Sequence, residues 1–426
     1  MKAENEIIEI ANERLNEKYY KIKHSSGLTV FVFPKQDYKS SYAIYGTNFG
    51  SIDNHFIVDG QEIRVPDGIA HYLEHKLFES EDGDAFTKYA KTGANANAYT
   101  SFEKTCYLFS CSSNLEDNLK ILLGFVQNPY FTDETVAKEQ GIIGQEIRMY
   151  DDSPDWRVMF NLLEGMYHNH PIKIDIAGTV ETIAEITPQK LYQCYNAFYT
   201  PHNMALCVVG NAQPEEVLKL VDEFVKPVPE KKLERIYPDE PIDVVKDYVE
   251  QTFPVLIPMF QLGFKADGSV KLDEKRAAGC EVALFAFASN SSPMYKQLMD
   301  EGLINESFGY EQVEMNGVNA VLFSGESQNP KRVAEVIRKH VRSALKNGID
   351  PEEFEIAKKA VYAQYALELN SVQAIGGGLI GCEFSGRELF KCIDAISALT
   401  LDEAQDMLAF LLNPDRCTLS VVKGDD

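Results

Sequence analysis

The sequence predicts an α+β fold in which two tandem homologous domains each pack helices on an antiparallel-rich sheet. Three observations predict this fold. The chain has 426 residues, which is too long for one ordinary hydrophobic core. Strand-like and helix-like segments are mixed without the strict strand–helix–strand order of a parallel sheet. Segments of the first half also recur, in pattern, in the second half.

The duplication rests on two independent pairs of segments. A strand-to-helix segment around Leu108 recurs around Leu322, at an offset of 214 residues. A later helix-to-strand segment recurs at an offset of 213 residues, which matches Val208 to Val421. Two segments that share nearly one offset indicate tandem duplication of a unit of roughly 210 residues, far longer than a solenoid repeat.

The composition between the halves predicts the domain boundaries. The segment KPVPEKKLERIYPDEP contains four prolines and many charges, which is typical of an extended, exposed linker. We therefore predict an N-terminal domain at 1–225, a linker at 226–242 and a C-terminal domain at 243–426. The later run GGGLIG, at 376–381, lacks the strand–turn–helix frame of a dinucleotide site, which favours flexible backbone or close packing there.

Charge and cysteine content exclude several classes of function. The formal net charge is −24, whereas nucleic acids and anionic membranes bind clustered Lys and Arg. The sequence has no run of eighteen apolar residues that would span a bilayer, and its charged first segment lacks the apolar core of a secretory signal. The eight cysteines are scattered without a CxxC pair, so we expect reduced core thiols in a cytoplasmic protein.

The segment VPDGIAHYLEHKLF predicts a helix in the first half. Pro66 and Asp67 stand where a helix start is expected, and Ile69, Leu73 and Leu77 form an apolar stripe at helical spacing. The stripe would anchor one side of the helix in the core. The opposite side would then carry the HxxEH residues.

Within this helix, His71, Glu74 and His75 share one face, because residues three and four apart are neighbours on a helix. Two imidazoles at i and i+4 suit two corners of a tetrahedral zinc site. Glu74 would lie beside the metal, where it could take a proton from bound water. The alternative is a pair of ordinary histidines with a solvated glutamate, and a third ligand from elsewhere in the chain would favour the metal.

A second helix offers that ligand. The segment FTDETVAKEQGIIGQEIRMYDD predicts a helix capped by Thr132, on which Glu139 and Glu146 lie two turns apart on one face. The face is otherwise mostly apolar, so two carboxylates there need a reason. The second half keeps the helix but replaces the two carboxylates with Ala357 and Gln364, and it has no HxxEH either. One copy therefore carries the chemistry.

An HxxEH helix followed about seventy residues later by Glu-x6-Glu resembles the inverzincin zinc peptidases. This is the family of pitrilysin, insulin-degrading enzyme and the mitochondrial processing peptidase, and the chain resembles its short two-domain bacterial branch. GANANAYTSFEKTCY resembles the family's Gly-x-x-x-Asn-Ala-x-Thr strand, and HNHPIKIDIAGTVETIAEIT resembles its His-Pro-to-Gly segment. YNAFYTPHNMALCVVGN resembles the end of the family's first domain, so the likeness covers essentially the whole chain.

The resemblance implies a role for each residue of the two helices. His71, His75 and Glu146 would bind Zn2+, and Glu74 would be the catalytic general base. Glu139 would be a second catalytic-site carboxylate, which steadies the site from outside the set of metal ligands.

The resemblance also implies how substrate binds and what the protein does. Asn97 and Ala98 would lie on an edge strand that receives a peptide substrate by β-augmentation. The implied activity is that of a zinc metalloendopeptidase that cleaves peptides or unfolded segments in an enclosed chamber. Two alternatives stay open, namely a non-catalytic core or assembly subunit and a dedicated maturation protease of one ribosomally made peptide.

The chain departs from the family pattern in its second half. Active members carry an arginine and a tyrosine seven residues apart, whereas YKQLMDEGLINES places Met299 and Asn305 there, with one residue missing. In the short bacterial branch, such a chain resembles a metal-bearing subunit that a homologous partner completes. We therefore expect a heterodimer with a subunit that supplies Arg and Tyr, or a homodimer in which Tyr310 or Lys296 substitutes.

Overall fold

The structure, a computed structural model, describes residues 5–81 and 83–425. The chain forms two compact units. Unit 1 consists of the segment ending at Ile147, Asp175–Ile236 and Ala366–Phe390, and unit 2 consists of Arg148–Ile174, Tyr237–Tyr365 and the segment from Lys391 onward. The predicted domain ends at 1–4 and 426 lie outside the described residues. The predicted fold class, α+β with two domains, is confirmed.

Strands and helices are mixed along the whole described chain. The strands are β1 (Glu6–Asn12), β2 (Glu17–Lys23), β3 (Thr29–Pro34), β4 (Ser41–Thr47), β5 (His55–Val58), β6 (Gln61–Arg64), β7 (Glu79–Ser80), β8 (Gly83–Asp84), β9 (Asn95–Thr100), β10 (Thr105–Cys111), β11 (Met204–Gly210), β12 (Leu233–Arg235), β13 (Tyr248–Thr252), β14 (Met259–Ala266), β15 (Gly309–Met315), β16 (Val318–Glu326) and β17 (Cys417–Lys423). The helices are α1 (Ile69–Leu77), α2 (Ala85–Thr92), α3 (Leu115–Val126), α4 (Asp133–Asp151), α5 (Pro154–Met166), α6 (Val180–Ile183), α7 (Pro188–Phe198), α8 (Pro214–Phe224), α9 (Glu274–Ala288), α10 (Pro293–Asp300), α11 (Pro330–Asn347), α12 (Pro351–Glu368), α13 (Val372–Ser385), α14 (Leu389–Ala398) and α15 (Leu401–Leu411).

The main sheets of the two units share one topology. The strand order is β1-β2-β3-β11-β4-β10-β9 in unit 1 and β13-β17-β14-β16-β15 in unit 2. Five strands therefore correspond, from β3 and β13 on one side to β9 and β15 on the other. In each unit the pair on the first side is parallel and the other pairs of the five are antiparallel. This common order supports the duplication predicted from the sequence.

The strand pairings correct one detail of the predicted correspondence. Leu108 and Val208 are linked through the central strand β4, and Leu322 is linked to β17 through the equivalent strand β14. Following these pairings, a match of Leu108 to Leu322 places Val208 on Leu419, two residues from the predicted Val421. Each of the two sequence offsets reflects a local similarity of pattern. Pairing through one central strand, in contrast, fixes the positions of both residues together.

Each unit covers its sheet with a helix from the opposite half of the chain. Helix α5 packs on β14 and β17 in unit 2, and α13 packs on β4 and β11 in unit 1. The predicted boundaries at 1–225 and 243–426 therefore differ from the compact units, since 148–174 belongs to unit 2 and 366–390 to unit 1. A sequence pattern marks the apolar face of a helix but does not say which sheet that face covers.

The glycine run at 376–381 allows α13 to approach the sheet closely. A Cβ at Gly376 would lie 2.7 Å from the ring of Tyr42, whereas a Cβ at Gly377 would meet no atom within 4 Å. Of the two interpretations of the run, the structure supports close packing at Gly376. Helix α13 is further tied to the sheet by Glu383, which accepts hydrogen bonds from Lys21 at 2.7 Å and from Thr29 at 2.9 Å.

The composition of the segment 226–242 predicts an exposed linker, but part of the segment is bound to the fold. Its strand β12 pairs with β5, and Arg235 forms an ion pair of 2.9 Å with the buried Asp53. Glu240 accepts the successive backbone N–H groups of 168–170 and a 2.6 Å bond from the buried Lys265. The prediction is wrong for these residues, because their charges have buried partners in the fold.

Each unit encloses its own hydrophobic core. In the described structure the eight cysteines form no disulfide, and all are buried except Cys382, which is half-buried. They are core thiols, as expected. No helix in the described part of the chain combines the length and the apolar character needed to cross a bilayer.

The packing of α13 predicts that alanine substitutions at two adjacent glycines change the free energy of unfolding in opposite directions. Gly376→Ala should lower the free energy of unfolding by about 1–3 kcal/mol, because its Cβ would overlap the Tyr42 ring. Gly377→Ala is the matched control and should raise it by about 0.5–1 kcal/mol, because Ala is favoured over Gly in an open helical position. Urea unfolding of the two variants measures both values. Equal shifts of the same sign would contradict the close approach.

Candidate metal centre

Helix α1 carries the HxxEH residues, and it begins after Gly68, two residues beyond Pro66. Gly68 adopts a φ of 87°, and a Cβ there would lie 2.3 Å from the carbonyl oxygen of Ala177. Only glycine fits this left-handed position and close approach. Asp67 does not cap the helix, because its carboxylate accepts a 2.8 Å hydrogen bond from Asn54.

Core packing of α1 and a hydrogen bond to α4 position the two helices. The predicted stripe of Ile69, Leu73 and Leu77 is buried, as expected. From the same helix, the Tyr72 hydroxyl donates a hydrogen bond to the carbonyl oxygen of Val136 on α4. The two helices that carry the candidate ligands therefore have a defined relative position.

Helix α4 begins as the sequence predicts. The Thr132 side chain accepts the backbone N–H of Thr135 at 3.2 Å, which is the geometry of an N-cap. Val136, Ile143 and Ile147 are buried on the core side of the helix. Their spacing presents Glu139 and Glu146 toward α1.

Three of the predicted residues converge. His71, His75 and Glu146 offer ligand atoms that all lie within 4.8 Å of one another. His71 Nε2 lies 3.7 Å from Glu146 Oε1, and His75 Nε2 lies 3.5 Å from Glu146 Oε2. Two ligands of a tetrahedral zinc ion, each bonded at about 2.0–2.1 Å, are about 3.3 Å apart. The observed separations therefore fit a metal ion held by these three side chains.

Glu139 contacts His75 at Nδ1, the ring nitrogen that does not face Glu146. His75 Nδ1 lies 3.1 Å from Glu139 Oε1, so an Nδ1–H donor to Glu139 leaves Nε2 free to face Glu146. His71 differs, because its Nδ1 is buried and has no hydrogen-bond partner among the described residues. A hydrogen bond orients His75, whereas packing alone orients His71.

The electrostatics of the cluster also fit a cation. Burial, together with the neighbouring His75, lowers the pKa of His71 to about 4, so the ring is neutral at pH 7, the form that ligates metals. Burial alone would lower the pKa of His75, but its hydrogen bond to Glu139 and the charges of Glu74 and Glu146 raise that pKa. Three carboxylates thus surround two imidazoles in a poorly solvated place, and a divalent cation would neutralise that charge.

Glu74 is not one of the converging ligands. It is only 8% exposed, and burial raises the pKa of its carboxyl above the usual value. Its Oε2 accepts a 2.8 Å hydrogen bond from the Thr100 hydroxyl at the end of β9. This threonine belongs to the strand motif GANANAYT, which predicted no role for it. Its position two residues after Ala98, on the same face of the strand, was the available signal.

The predicted substrate residues lie on β9, which is the last strand of the main sheet in unit 1. Asn97 and Ala98 therefore stand at an edge. The Asn97 side chain accepts the backbone N–H of Ala98 at 2.9 Å. Their role in substrate binding stays a prediction.

Comparison with known proteins gives the family of this chain. Residues 61–180, which contain the HxxEH helix and both α4 carboxylates, match the profile of the insulinase family, peptidase family M16. Residues 185–361 match the profile of the peptidase M16 inactive domain. The chain is 41% identical to the uncharacterized zinc protease YmfH of Bacillus subtilis, over 97% of this chain and 98% of the relative. The chain belongs to the insulinase family.

Solved structures of other M16 proteins have the same fold. An M16-like peptidase from Alicyclobacillus acidocaldarius superposes with a TM-score of 0.90 at 32% identity, over 100% of both chains. Pitrilysin superposes with a TM-score of 0.77 at 17% identity, over 98% of this chain and 46% of its own. The first match extends the family assignment to a structure, and the second concerns the fold alone.

The second half of this M16 chain has no cation at the two positions singled out by the sequence. Met299 lies on α10 with 39% of its surface exposed, and Lys296 is exposed on the same helix. Asn305 belongs to a turn, where its side chain accepts the N–H of Ser307 at 2.8 Å and donates to Glu326 at 2.8 Å. Tyr310 lies on β15, where burial raises the pKa of its hydroxyl to about 12.

The geometry predicts about one zinc ion per chain. His71→Ala and Glu146→Gln should each lose the metal, because the remaining two ligands cannot hold zinc tightly. His55→Ala is the matched control, since His55 pairs with Glu62 on another hairpin and should leave the zinc content unchanged. Metal analysis of the purified variants measures the stoichiometry.

Glu139→Gln gives a graded version of the same test. It should retain the zinc site but weaken zinc affinity by about 10–100-fold, because His75 would lose its charged hydrogen-bond acceptor. Full zinc occupancy in both His71→Ala and Glu146→Gln would show that the assignment of ligands is wrong.

Proposed function

We propose that this M16 protein is a zinc-dependent endopeptidase whose zinc is held by His71, His75 and Glu146. The proposal rests on the arrangement of three residues on one face of α1, where two histidines converge on Glu146 and a buried glutamate lies beside them. His71 and His75 converge on Glu146, whereas Glu74 lies among the same charges without joining the ligand set. A structural metal site would not need an additional buried carboxylate of raised pKa.

The chain's own residues supply the proton chemistry. When bound, zinc lowers the pKa of a coordinated water and polarises the scissile carbonyl. Glu74 takes the proton of the nucleophile on a carboxylate oxygen and then delivers it to the nitrogen of the leaving amine. Its raised pKa brings the carboxyl closer to neutral pH, which favours both steps. Glu139 holds His75 in the tautomer that keeps Nε2 available.

The substrate is a peptide or an unfolded protein segment. We propose that it adds an antiparallel strand at β9, with Asn97 and Ala98 at the contact. The position of β9 at the sheet edge supports this, as does the hydrogen bond from its last residue, Thr100, to Glu74. A strand bound at this edge would therefore pass near the catalytic base.

We also propose that the active form contains a second, homologous subunit. Met299 and Asn305 offer no charge for the developing oxyanion, and Asn305 is already engaged in its own turn. A partner that carries the arginine and tyrosine would close over the metal centre. We place the protein in the cytoplasm, which its eight cysteines support, since they form no disulfide in the described structure.

Glu74→Gln tests the assignment of the base. The variant should bind zinc at the wild-type stoichiometry but lose hydrolysis, because Gln keeps the shape and cannot accept the proton. Metal analysis and a peptide-library assay of the same preparation give the two readouts. Loss of zinc in Glu74→Gln, or hydrolysis at the wild-type rate, would contradict the separation of base and ligand.

The partner requirement predicts that the zinc-replete protein is nearly inactive alone. Oxyanion donors typically contribute about 2.7–4 kcal/mol, which is two to three decades in rate. Peptide hydrolysis should rise by about that factor when an M16 homologue that carries the arginine and tyrosine is co-expressed. Robust turnover by the protein alone, lost in Tyr310→Phe, would instead show that a homodimer suffices.

A further inference from the structure

We propose that Thr100 is a positioning residue that holds the Glu74 carboxylate in one orientation for catalysis. The inference rests on the proposed function, in which Glu74 is the base, and adds a residue to which no role was assigned. Its basis is a set of hydrogen bonds in which Glu74 is the nearest and strongest acceptor for the Thr100 hydroxyl. The same bonds fix the hydroxyl in space.

The first observation is the contact itself. Thr100 Oγ1 lies 2.8 Å from Glu74 Oε2, and the other oxygen, Oε1, accepts no hydrogen bond from the described residues. The terminal torsion of a glutamate side chain is otherwise broad and poorly defined. A bond to one oxygen therefore orients the carboxylate and leaves the other oxygen available to take a proton.

The second observation is the count of hydroxyl protons. Thr105 faces Thr100 across the strand pair β9–β10, with the two hydroxyl oxygens 3.4 Å apart. Thr105 donates its only proton to the carbonyl oxygen of Phe49 at 2.9 Å. Thr105 Oγ1 can still accept, but the Glu74 carboxylate is both the nearer acceptor, at 2.8 Å against 3.4 Å, and the stronger one, so the Thr100 proton is directed to Glu74.

The third observation is that backbone hydrogen bonds hold the turn that follows Thr100. Strand β9 ends at Thr100 in a turn that is closed by a 2.8 Å bond from Ser101 N–H to the Lys104 carbonyl. A neighbouring loop binds this turn through Ile52 N–H, which donates to the Phe102 carbonyl at 3.0 Å. Gly50 permits that approach, since a Cβ there would lie 2.3 Å from the Phe102 oxygen. The position of the Thr100 hydroxyl is therefore fixed by backbone hydrogen bonds within this turn and from the neighbouring loop.

Comparison of the two units separates this arrangement from the needs of the fold. The strand pairings that match Leu108 to Leu322 also match Thr100 to Glu314 and Thr105 to Asn319. Unit 2 has the same strands but lacks both the hydroxyl pair and the HxxEH base. The threonine is therefore present in the unit that carries the base and is not required by the sheet.

Thr100→Val removes the hydroxyl and keeps the shape, whereas Thr100→Ser keeps the hydroxyl. Zinc-bound crystal structures should show the Glu74 carboxylate in one orientation in the wild type and in Thr100→Ser, and rotated or spread over several orientations in Thr100→Val. In the zinc-loaded protein with its partner, Thr100→Val should lower kcat about 10–100-fold with little change in KM, and Thr100→Ser should restore it.

The matched control is Thr29→Val, which removes a similar threonine–carboxylate bond of 2.9 Å to Glu383 elsewhere in unit 1. It should leave kcat and the Glu74 orientation unchanged. An ordered, wild-type Glu74 in Thr100→Val, or equal kcat in Thr100→Val and Thr100→Ser, would overturn the proposal. If the wild-type protein hydrolyses nothing, the proposed function fails, and the crystal structures still decide whether Thr100 orients Glu74.

Discussion

The metal centre depends on one constraint, which is the enclosure of one buried and two half-buried carboxylates around two imidazoles. Glu74, Glu139 and Glu146 would repel one another in a poorly solvated place. Burial raises the pKa of the Glu74 carboxyl, and the hydrogen bond to Glu139 and the nearby carboxylates outweigh burial and raise the pKa of His75. A divalent cation between the converging atoms of His71, His75 and Glu146 removes the conflict. The neutral His71 is already in the form that such a cation requires, and on His75 the cation would take the place of a proton at Nε2.

The fold supplies this arrangement through contacts made at a distance from it. Helix α1 starts where Gly68 meets the backbone of Ala177, and Tyr72 ties it to α4. These contacts set the spacing between the histidines and Glu146, which must be held to within a fraction of an ångström for metal binding. Unit 2 repeats the sheet and the helices without the ligands, so the duplicated fold is a scaffold on which one copy carries the chemistry.

The sequence predicted what depends on helical periodicity and missed what depends on long-range packing. The spacing was enough to place His71 and His75 on one helix face and Glu146 on one face of a second helix, because 3.6 residues per turn fixes each face, and the family resemblance implied that the two faces meet. The exchange of α5 and α13 between the units was not predictable, since an apolar helix face does not specify which sheet it covers. Arg235 and Glu240 looked like linker residues because their buried partners are distant in sequence or belong to the backbone. The contact between Thr100 and Glu74 was missed for the same reason.

The metal centre is tested most directly by a crystal structure of the purified protein with anomalous diffraction recorded at the zinc edge. We expect one anomalous peak, bonded to His71 Nε2, His75 Nε2 and a Glu146 oxygen at about 2.0–2.2 Å, with Glu74 outside bonding distance. No peak at these side chains in zinc-replete protein, or a peak bonded to Glu74 in place of Glu146, would contradict it.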